Sequence, residues 1–236
     1  MVLTSLFDGR LEPLTYSIGF LSAPPERVAR AARWLYFRWP DAWRRVAVLD
    51  CGLEEALLQL QPLEGFLHPR VLVASTALNG WSAVFNGRIH GLGGRGLSVR
   101  LSRALRVPGY FVAAAPPASD PEHFPGFRQF YVLGPQTGRD HVRAVWVGEE
   151  EDVGRWHFGT DGEVQPYEDV EAYRRRRHTD RFTEQMLVDY AAAVGLRPWE
   201  DSFYRPPFHL ITSLRLGRDR FQRTLAQART EMKLDE

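Results

Sequence analysis

One stretch, residues 155–187, constrains the fold of this chain more than any other. It opens as a strand, because the aromatic residues Trp156 and Phe158 alternate with charged ones. The dipeptide Asp161-Gly162 predicts a hairpin turn, since glycine readily takes the positive φ that such a turn requires. Residues 163–167 are then expected to form the returning half of the hairpin.

The second part of the same stretch predicts helices that pack on this hairpin. The apolar period becomes helical over residues 168–173, and residues 180–183 are typical of the start of a second helix. We expect a single hydrophobic cluster to hold the hairpin to these helices. Its members are Trp156, Phe158, Tyr167, Tyr173, Phe182 and Leu187.

Apolar periodicity along the rest of the chain predicts many short elements. Strands are expected at residues 14–21, 46–49, 71–75, 81–85, 110–114, 127–133, 141–147 and 155–158. Trp146 is expected on the same sheet face as Trp156 and Phe158. Helices are expected at residues 24–38, 53–60, 97–105, 183–194 and 219–232, with Gly195 ending the fourth and a loop at residues 198–204.

This order of elements predicts an α+β fold, a mostly antiparallel sheet with packed helices, because strand pairs joined by short turns dominate the second half. We expect a single domain over residues 1–236. The alternative is two intimate halves, residues 1–115 and 127–236, joined by a proline-rich loop at residues 116–126.

Composition narrows the classes of function. The net charge of +1 provides no field to attract nucleic acid or a membrane surface. No apolar run approaches the roughly 20 residues that span a bilayer, and the first residues do not resemble a secretion signal. The single cysteine, Cys51, excludes an internal disulfide and suits a reducing compartment. We therefore expect a cytoplasmic protein that binds neither nucleic acid nor membrane.

No motif in the sequence predicts a catalytic residue, a cofactor or a metal site. Residues 91–96 match the glycine pattern of dinucleotide sites, but Asp120 lies in the proline-rich loop rather than at a strand end, so we interpret them as a flexible loop. The histidines lack metal-ligand spacing, although His141 and His157 fall on neighbouring predicted strands. Cys51 is interpreted as a packed thiol.

The candidate partner-binding residues are four consecutive arginines, Arg174, Arg175, Arg176 and Arg177. Such a run is able to bind an acidic partner, because guanidinium groups hold carboxylates with two hydrogen bonds. The alternative is a solvated run around a helix, paired with Glu168, Glu171 and Asp180. General acid–base work by Glu168 and Glu171 is discounted, since neighbouring arginines favour their ionised forms.

Two segments carry a resemblance to a known family. Trp81-Ser-Ala-Val-Phe-Asn-Gly is similar to the W-T-A-x-F-x-N-G segment of a family of uncharacterised bacterial proteins, with Ser82 where that family has threonine. The later block Arg155-Trp-His-Phe, Gly162, Tyr167-Glu168, Tyr173 and Asp180-Arg-Phe-Thr-Glu-Gln-Met-Leu resembles a second block of the same family. That family resembles the immunity proteins encoded beside polymorphic bacterial toxins.

The resemblance implies a non-catalytic, cytosolic binding protein that neutralises a cognate toxin. A protein partner is therefore expected, and no cofactor. The alternative is an enzyme whose site is assembled from distant residues without a recognisable motif.

Overall fold

The computed structural model describes residues 4–35, 43–65, 70–90, 93–116, 126–135, 139–149, 155–214 and 222–235. The strands in this part of the chain are β1 (Ser17–Leu21), β2 (Trp43–Leu49), β3 (Leu63–Glu64), β4 (Val71–Thr76), β5 (Ser82–Asn86), β6 (Gly109–Ala115), β7 (Phe127–Leu133), β8 (Arg143–Glu149), β9 (Trp156–Gly162), β10 (Tyr204–Leu214) and β11 (Gln222–Arg223). The helices are α1 (Pro25–Leu35), α2 (Leu53–Leu58), α3 (Gly94–Leu105), α4 (His178–Arg181), α5 (Glu184–Ala193) and α6 (Leu225–Glu231). Short 3-10 turns lie at Leu6–Gly9, Ala172–Arg174 and Asp201–Phe203.

Nine of the described strands form one large sheet in the order β2-β10-β4-β5-β1-β6-β7-β8-β9, and β3 pairs separately with β11. Each pair of neighbouring strands in the large sheet is antiparallel. The predicted α+β fold with an antiparallel sheet and packed helices is confirmed. The elements expected before residue 150 are all present, with ends shifted by a few residues.

The strand β10 was not predicted, although it lies between β2 and β4 near one end of the sheet. Its register shifts between Arg205 and His209, where Pro206 and Pro207 interrupt the ladder of hydrogen bonds. Strands from both predicted halves, 1–115 and 127–236, therefore belong to one sheet. Most of the predicted loop between them, residues 117–125, lies outside the described residues.

Helices cover both sides of this sheet. On one side, which we call the α3 face, Val28 of α1 and Leu97 of α3 pack on Leu21, Val73 and Val84. On the other side, the α5 face, the buried side chains are mostly aromatic and leucine residues from the strands, α2 and α5, including Phe20, Phe85, Phe130, Leu57 and Leu187. The two faces are therefore buried by different helices.

The hydrophobic cluster predicted for residues 155–187 is confirmed, and it lies on the α5 face. Phe182 and Leu187 are fully buried, and the partly buried rings of Trp156, Phe158, Tyr167 and Tyr173 pack against the same core. The expectation that Trp146 shares their face is wrong. In the pairing of β8 with β9, Trp146 lies opposite Gly159 and Val147 lies opposite Phe158. Successive residues of a strand point to opposite faces, so Trp146 lies on the α3 face while Phe158 lies on the α5 face.

The hairpin turn expected at Asp161-Gly162 is also wrong. Both residues belong to the end of β9, where Asp161 pairs with Ala144 and Gly162 with Arg143. Gly162 does have a positive φ of 88°, but the chain leaves the sheet there instead of turning back. Residues 163–167 form no strand, and the helix expected at 168–173 is reduced to the 3-10 turn at Ala172–Arg174.

Two helix ends follow their local sequence signals. Thr183 caps α5 by accepting a hydrogen bond from the Met186 amide, and Gly195 follows the helix with a φ of 80°, as predicted. The last helix begins later than expected, because Thr224 and Gln227 form a capping box that fixes its start at Leu225. None of the described helices combines the length and the apolar character needed to cross a membrane.

We expect Phe182→Ala to lower the free energy of unfolding by about 3–5 kcal/mol, because the lost ring leaves a cavity beside Tyr190, 5.6 Å away between ring centroids. Trp156→Ala should lower the free energy of unfolding by a smaller amount, since that side chain is only half-buried. Val170→Ala, at an exposed position, is the control. Denaturant midpoints measure the three changes, and a Phe182→Ala protein as stable as the Val170→Ala protein would contradict this account of the core.

Candidate functional site

Helix α3 lies directly on the sheet because glycines remove the side chains that would hold it away. A Cβ atom on Gly94 would lie 2.8 Å from Ser17 Oγ and 2.9 Å from Asn86 Nδ2. One turn later, Ser98 lies over Gly19, where a Cβ atom would overlap the serine hydroxyl. The Ser98 hydroxyl instead donates to the Gly94 carbonyl at 2.8 Å. The height of α3 above the sheet is fixed by these contacts.

The glycine-rich segment therefore serves helix packing, and its interpretation as a flexible loop is wrong for residues 94–96. Gly93 caps the helix with a φ of 95°, and Gly94 and Gly96 belong to its first turn. Gly91 and Leu92 lie outside the described residues.

A groove of ≈ 520 Å³ lies beside α3 on the same face of the sheet. Arg95, Val99 and Arg103 line it from successive turns of the helix, and Phe111 and Gln129 line it from β6 and β7. The other described lining residues are Arg88, Gly93, Gly96, Leu97, Arg100 and Asp140. Four of these lining residues are arginines and one is acidic, so the groove favours an anionic group.

Contacts with the protein hold two of these arginines in place. Arg95 donates to the Tyr131 hydroxyl at 2.9 Å, and its guanidinium lies 5.0 Å from the centroid of that ring. Arg103 pairs with Asp140 at 3.1 Å and donates to the Arg139 carbonyl at 2.6 Å. The buried Nε of Arg103 has no acceptor among the described residues.

The other two arginines extend the positive surface. Arg88 donates to the Gly65 carbonyl at 3.1 Å, and the Nε of Arg100 donates to Gly96 at 3.3 Å. Both acceptors are backbone carbonyls, which carry no charge and help to orient the guanidinium groups. Guanidinium groups held in this way bind carboxylate or phosphate oxygens in pairs.

The open sheet beyond the groove carries Trp146, which sequence reasoning placed on the wrong face. A shallow cavity of ≈ 360 Å³ is lined there by Trp146, Gly148, Glu149 and His157. Gln129, which lines the groove, lies directly opposite Trp146 in the pairing of β7 with β8. The arginine groove and the tryptophan are therefore adjacent on one surface.

The predicted arginine run lies far along the chain on a different surface. All four residues are exposed, and the run leaves the 3-10 turn at Ala172–Arg174 to reach α4 rather than surrounding a helix. Arg174 pairs with Glu171 at 3.1 Å, and Arg175 approaches Asp169 at 3.8 Å and donates to the Asp180 carbonyl at 3.0 Å. Neighbouring acidic residues thus offset part of its charge.

Glu168 does not pair with this run, contrary to the alternative drawn from the sequence. It forms a two-bonded ion pair with Arg143, at 2.6 Å and 2.9 Å, and the two side chains are 1% and 4% exposed. The hydroxyl of Tyr173 donates to Glu168 at 2.7 Å and lies 2.9 Å from the Tyr190 hydroxyl. Both oxygens of Glu168 are thus engaged by donors, which suits a structural role.

The ion pair of Arg143 with Glu168, together with burial, shifts the pKa values of Arg143 and Tyr173. Burial lowers the pKa of Arg143, but the hydrogen bonds and charge of Glu168 outweigh burial and leave that pKa raised. Burial also raises the pKa of Tyr173, with further contributions from the hydrogen bonds to Tyr190 and Glu168. Arg143 therefore stays cationic and Tyr173 neutral at physiological pH.

The remaining sequence candidates are separated from each other. His141 bonds Asp161 at 3.0 Å, while the exposed His157 has its ring 6.1 Å from that of His178. Burial, together with Glu55 and Asp50, raises the pKa of the half-buried Cys51 thiol, which disfavours the thiolate. The described residues contain no group of three or more metal-ligating side chains.

Sequence reasoning missed the groove, although one signal for it was present. Arg100 and Arg103 fall on neighbouring sides of the helix expected at residues 97–105, and Arg95 lies just before it. The consecutive arginines at 174–177 form a more obvious pattern than arginines that are separated by helical turns.

Comparison with known proteins adds no identification. No family model, curated protein or solved structure matches the chain.

Breaking the buried ion pair should be costly. We expect Arg143→Met to lower the free energy of unfolding by about 3–5 kcal/mol, because Glu168 is left buried without its partner. The double variant Arg143→Met/Glu168→Met should recover most of that loss. The exposed pair of Arg174 with Glu171 is the matched control, and Arg174→Met should cost about 0–1 kcal/mol. Chemical denaturation tests the cycle, and equal effects at both pairs would show that burial does not decide their strength.

Stability should also fall at alkaline pH. Burial raises the pKa values of Tyr167, Tyr173 and Tyr190, so these hydroxyls stay neutral in the folded chain when unfolded tyrosines ionise. The stability that these neutral hydroxyls contribute is complete below about pH 10, the pKa of tyrosine in an unfolded chain, and it is lost as the pH rises above that value. Urea midpoints between about pH 8 and 11 measure the loss, which should be smaller in Tyr173→Phe. A wild-type midpoint that stays constant over this range would contradict the prediction.

Proposed function

We propose that this chain is a non-catalytic binding protein that holds an acidic region of a protein partner in the arginine-lined groove beside α3. The observation that supports this proposal is the charge of the groove, four arginines to one aspartate among its described lining residues. The arginines are oriented by protein contacts before a partner arrives, which lowers the entropy lost on binding.

A protein partner fits this surface better than a nucleic acid does. The net charge of the whole chain is only +1, whereas nucleic-acid-binding domains are usually strongly basic. Arginine and tryptophan are also the side chains that most often dominate the free energy of protein–protein binding. Here Arg95 and Arg103 line a groove that adjoins Trp146.

The described lining of the groove suits binding rather than catalysis. It supplies guanidinium groups, an amide and apolar atoms, and its carboxylate, Asp140, is engaged by Arg103. No described lining residue is a serine, cysteine or histidine that would act as nucleophile or base. The alternative of an enzyme with a dispersed site gains no specific support from these residues.

The finer proposal is that the chain is a cytoplasmic immunity protein and that its acidic partner is a cognate toxin. It rests on the resemblance of the segments at Trp81 and at residues 155–187 to a bacterial family of that style. The toxin would dock on the groove, with the arginine run Arg174–Arg177 as the competing surface.

Charge reversal at the two arginine surfaces tests the proposal. We expect Arg95→Glu/Arg100→Glu to weaken binding of the protein encoded by the neighbouring gene by about tenfold or more, because two exposed cations become anions. The matched control is Arg175→Glu/Arg176→Glu, which also changes two exposed arginines. Calorimetric titration and thermal unfolding are measured on each variant.

Three results separate the possibilities. Weaker binding by the groove variant alone, at an unchanged melting temperature, supports the proposal. Weaker binding by the control alone would move the docking surface to the arginine run. No binding by the wild-type chain, together with no protection of cells that express the neighbouring protein, would overturn the immunity proposal.

A further inference from the structure

The indole of Trp146 is a second recognition feature beside the arginine groove. Gly159 lies directly opposite Trp146 on β9, and a Cβ atom there would overlap the indole ring. The ring therefore lies flat on the backbone of β9, which only glycine permits. Trp146 is half-buried, so part of the ring remains accessible on the α3 face. A flat, supported indole of this kind is suited to stacking on a planar side chain.

The strand register connects this indole with the groove. Phe111 on β6 and Gln129 on β7 line the groove, and Gln129 is paired with Trp146 on β8. Helix α3 contacts β6 and β7 on this face, whereas α4, the helix that contacts β8 and β9, packs on the α5 face against Phe158. In the described structure, the surface thus continues from the arginines across β7 to the tryptophan.

The spacing of the strands sets the distance across the sheet between β6, which lines the groove through Phe111, and β8, which carries Trp146. Neighbouring strands lie about 4.8 Å apart, so β6 and β8 are separated by about 10 Å. A polyproline II segment advances about 3.1 Å per residue with three residues per turn, so residues i and i+3 project from the same side about 9 Å apart. An extended segment that crosses the strands can therefore reach both features with two side chains.

We propose that the α3 face binds an extended acidic segment of a protein partner, with a carboxylate in the arginine groove and an aromatic ring three residues away on Trp146. This inference rests on the proposed function and adds the chemical pattern that the groove recognises. The arginines select the carboxylate by charge and paired hydrogen bonds. The indole selects the second position by stacking on its ring.

Short peptides test the pattern with the full chain. The probe is a capped Gly-Asp-Pro-Pro-Trp-Gly peptide, in which prolines favour the polyproline II conformation and the acid and ring are three residues apart. The comparison peptides are Gly-Asp-Pro-Trp-Pro-Gly, with altered spacing, and Gly-Asp-Pro-Pro-Ala-Gly, without the ring. Binding is measured by NMR titration, which also maps the residues that respond. We expect the first peptide to bind about threefold or more tightly than either comparison.

Variants assign the effect to Trp146. Trp146→Ala should reduce binding of the first peptide to the level of the alanine peptide and leave the alanine peptide unchanged. Gly159→Ala should act in the same direction, because its methyl group displaces the ring. The control is Trp34→Ala, a tryptophan that is 63% exposed on α1. The double variant Arg95→Glu/Arg100→Glu should weaken the binding of all three peptides.

Two other outcomes overturn the inference, and a third overturns only the toxin as its partner. Equal binding of the three peptides to the wild-type chain would remove the indole from the site while the arginine groove, and with it the proposed function, stands. If a dinucleotide displaces the peptide at a concentration lower than that of the peptide, the ligand of this face is a nucleotide and not a polypeptide. If the chain binds the peptide but not the neighbouring protein, the recognition pattern stands and the proposal that the partner is a toxin is wrong.

Discussion

Burial of both faces of the sheet is the constraint on which the rest of this structure depends. Every residue of β1 and β5 is buried, whereas no residue of β9 is. Strands covered on both sides must be apolar at nearly every position, and helices must be supplied for each face. The helices cover the centre of the sheet on the α3 face and leave the end at β8 and β9 more accessible. Burial falls from β1 and β5 towards β9, so a partner is able to reach the sheet at the end formed by β8 and β9.

The arginines show how surroundings decide what a cation does. Lys233 is the only lysine, so nearly all of the 30 basic residues are arginine. Arg143 is fully buried and matched by Glu168, and it fixes the segment that leaves β9. Around the groove, backbone carbonyls and a tyrosine hydroxyl orient Arg88, Arg95 and Arg100, and Asp140 pairs with Arg103. One residue type thus stabilises the interior in one place and shapes a surface in another.

The sequence predicted the elements whose periodicity reflects local burial, and it failed where distant partners decide. β10 was missed because Pro206 and Pro207 are read locally as strand breakers, while a register shift between β10 and β4 accommodates them. Asp161-Gly162 was read as a turn because its local preference is strong, yet pairing with β8 makes both residues part of a strand. Long-range pairing overrides local preference in both cases.

The candidate site was harder to predict than the fold for the same reason. Arg103 lies on the helix expected at residues 97–105 and Arg95 in the loop expected before it, and their closeness to Phe111 and Gln129 depends on how α3 crosses the sheet. The crossing is set by Gly19 and Gly94, whose role is visible only when both segments are in place. The face occupied by Trp146 likewise follows from one register between two strands.

The position of β10 has a consequence for synthesis on the ribosome. β2 and β4 leave the ribosome well before β10, the strand that separates them in the sheet. Until it arrives, the nascent chain exposes two unpaired edges and an apolar slot, which are the features that recruit chaperones or lead to aggregation. Closure of this end of the sheet therefore waits until residues 204–214 have left the ribosome.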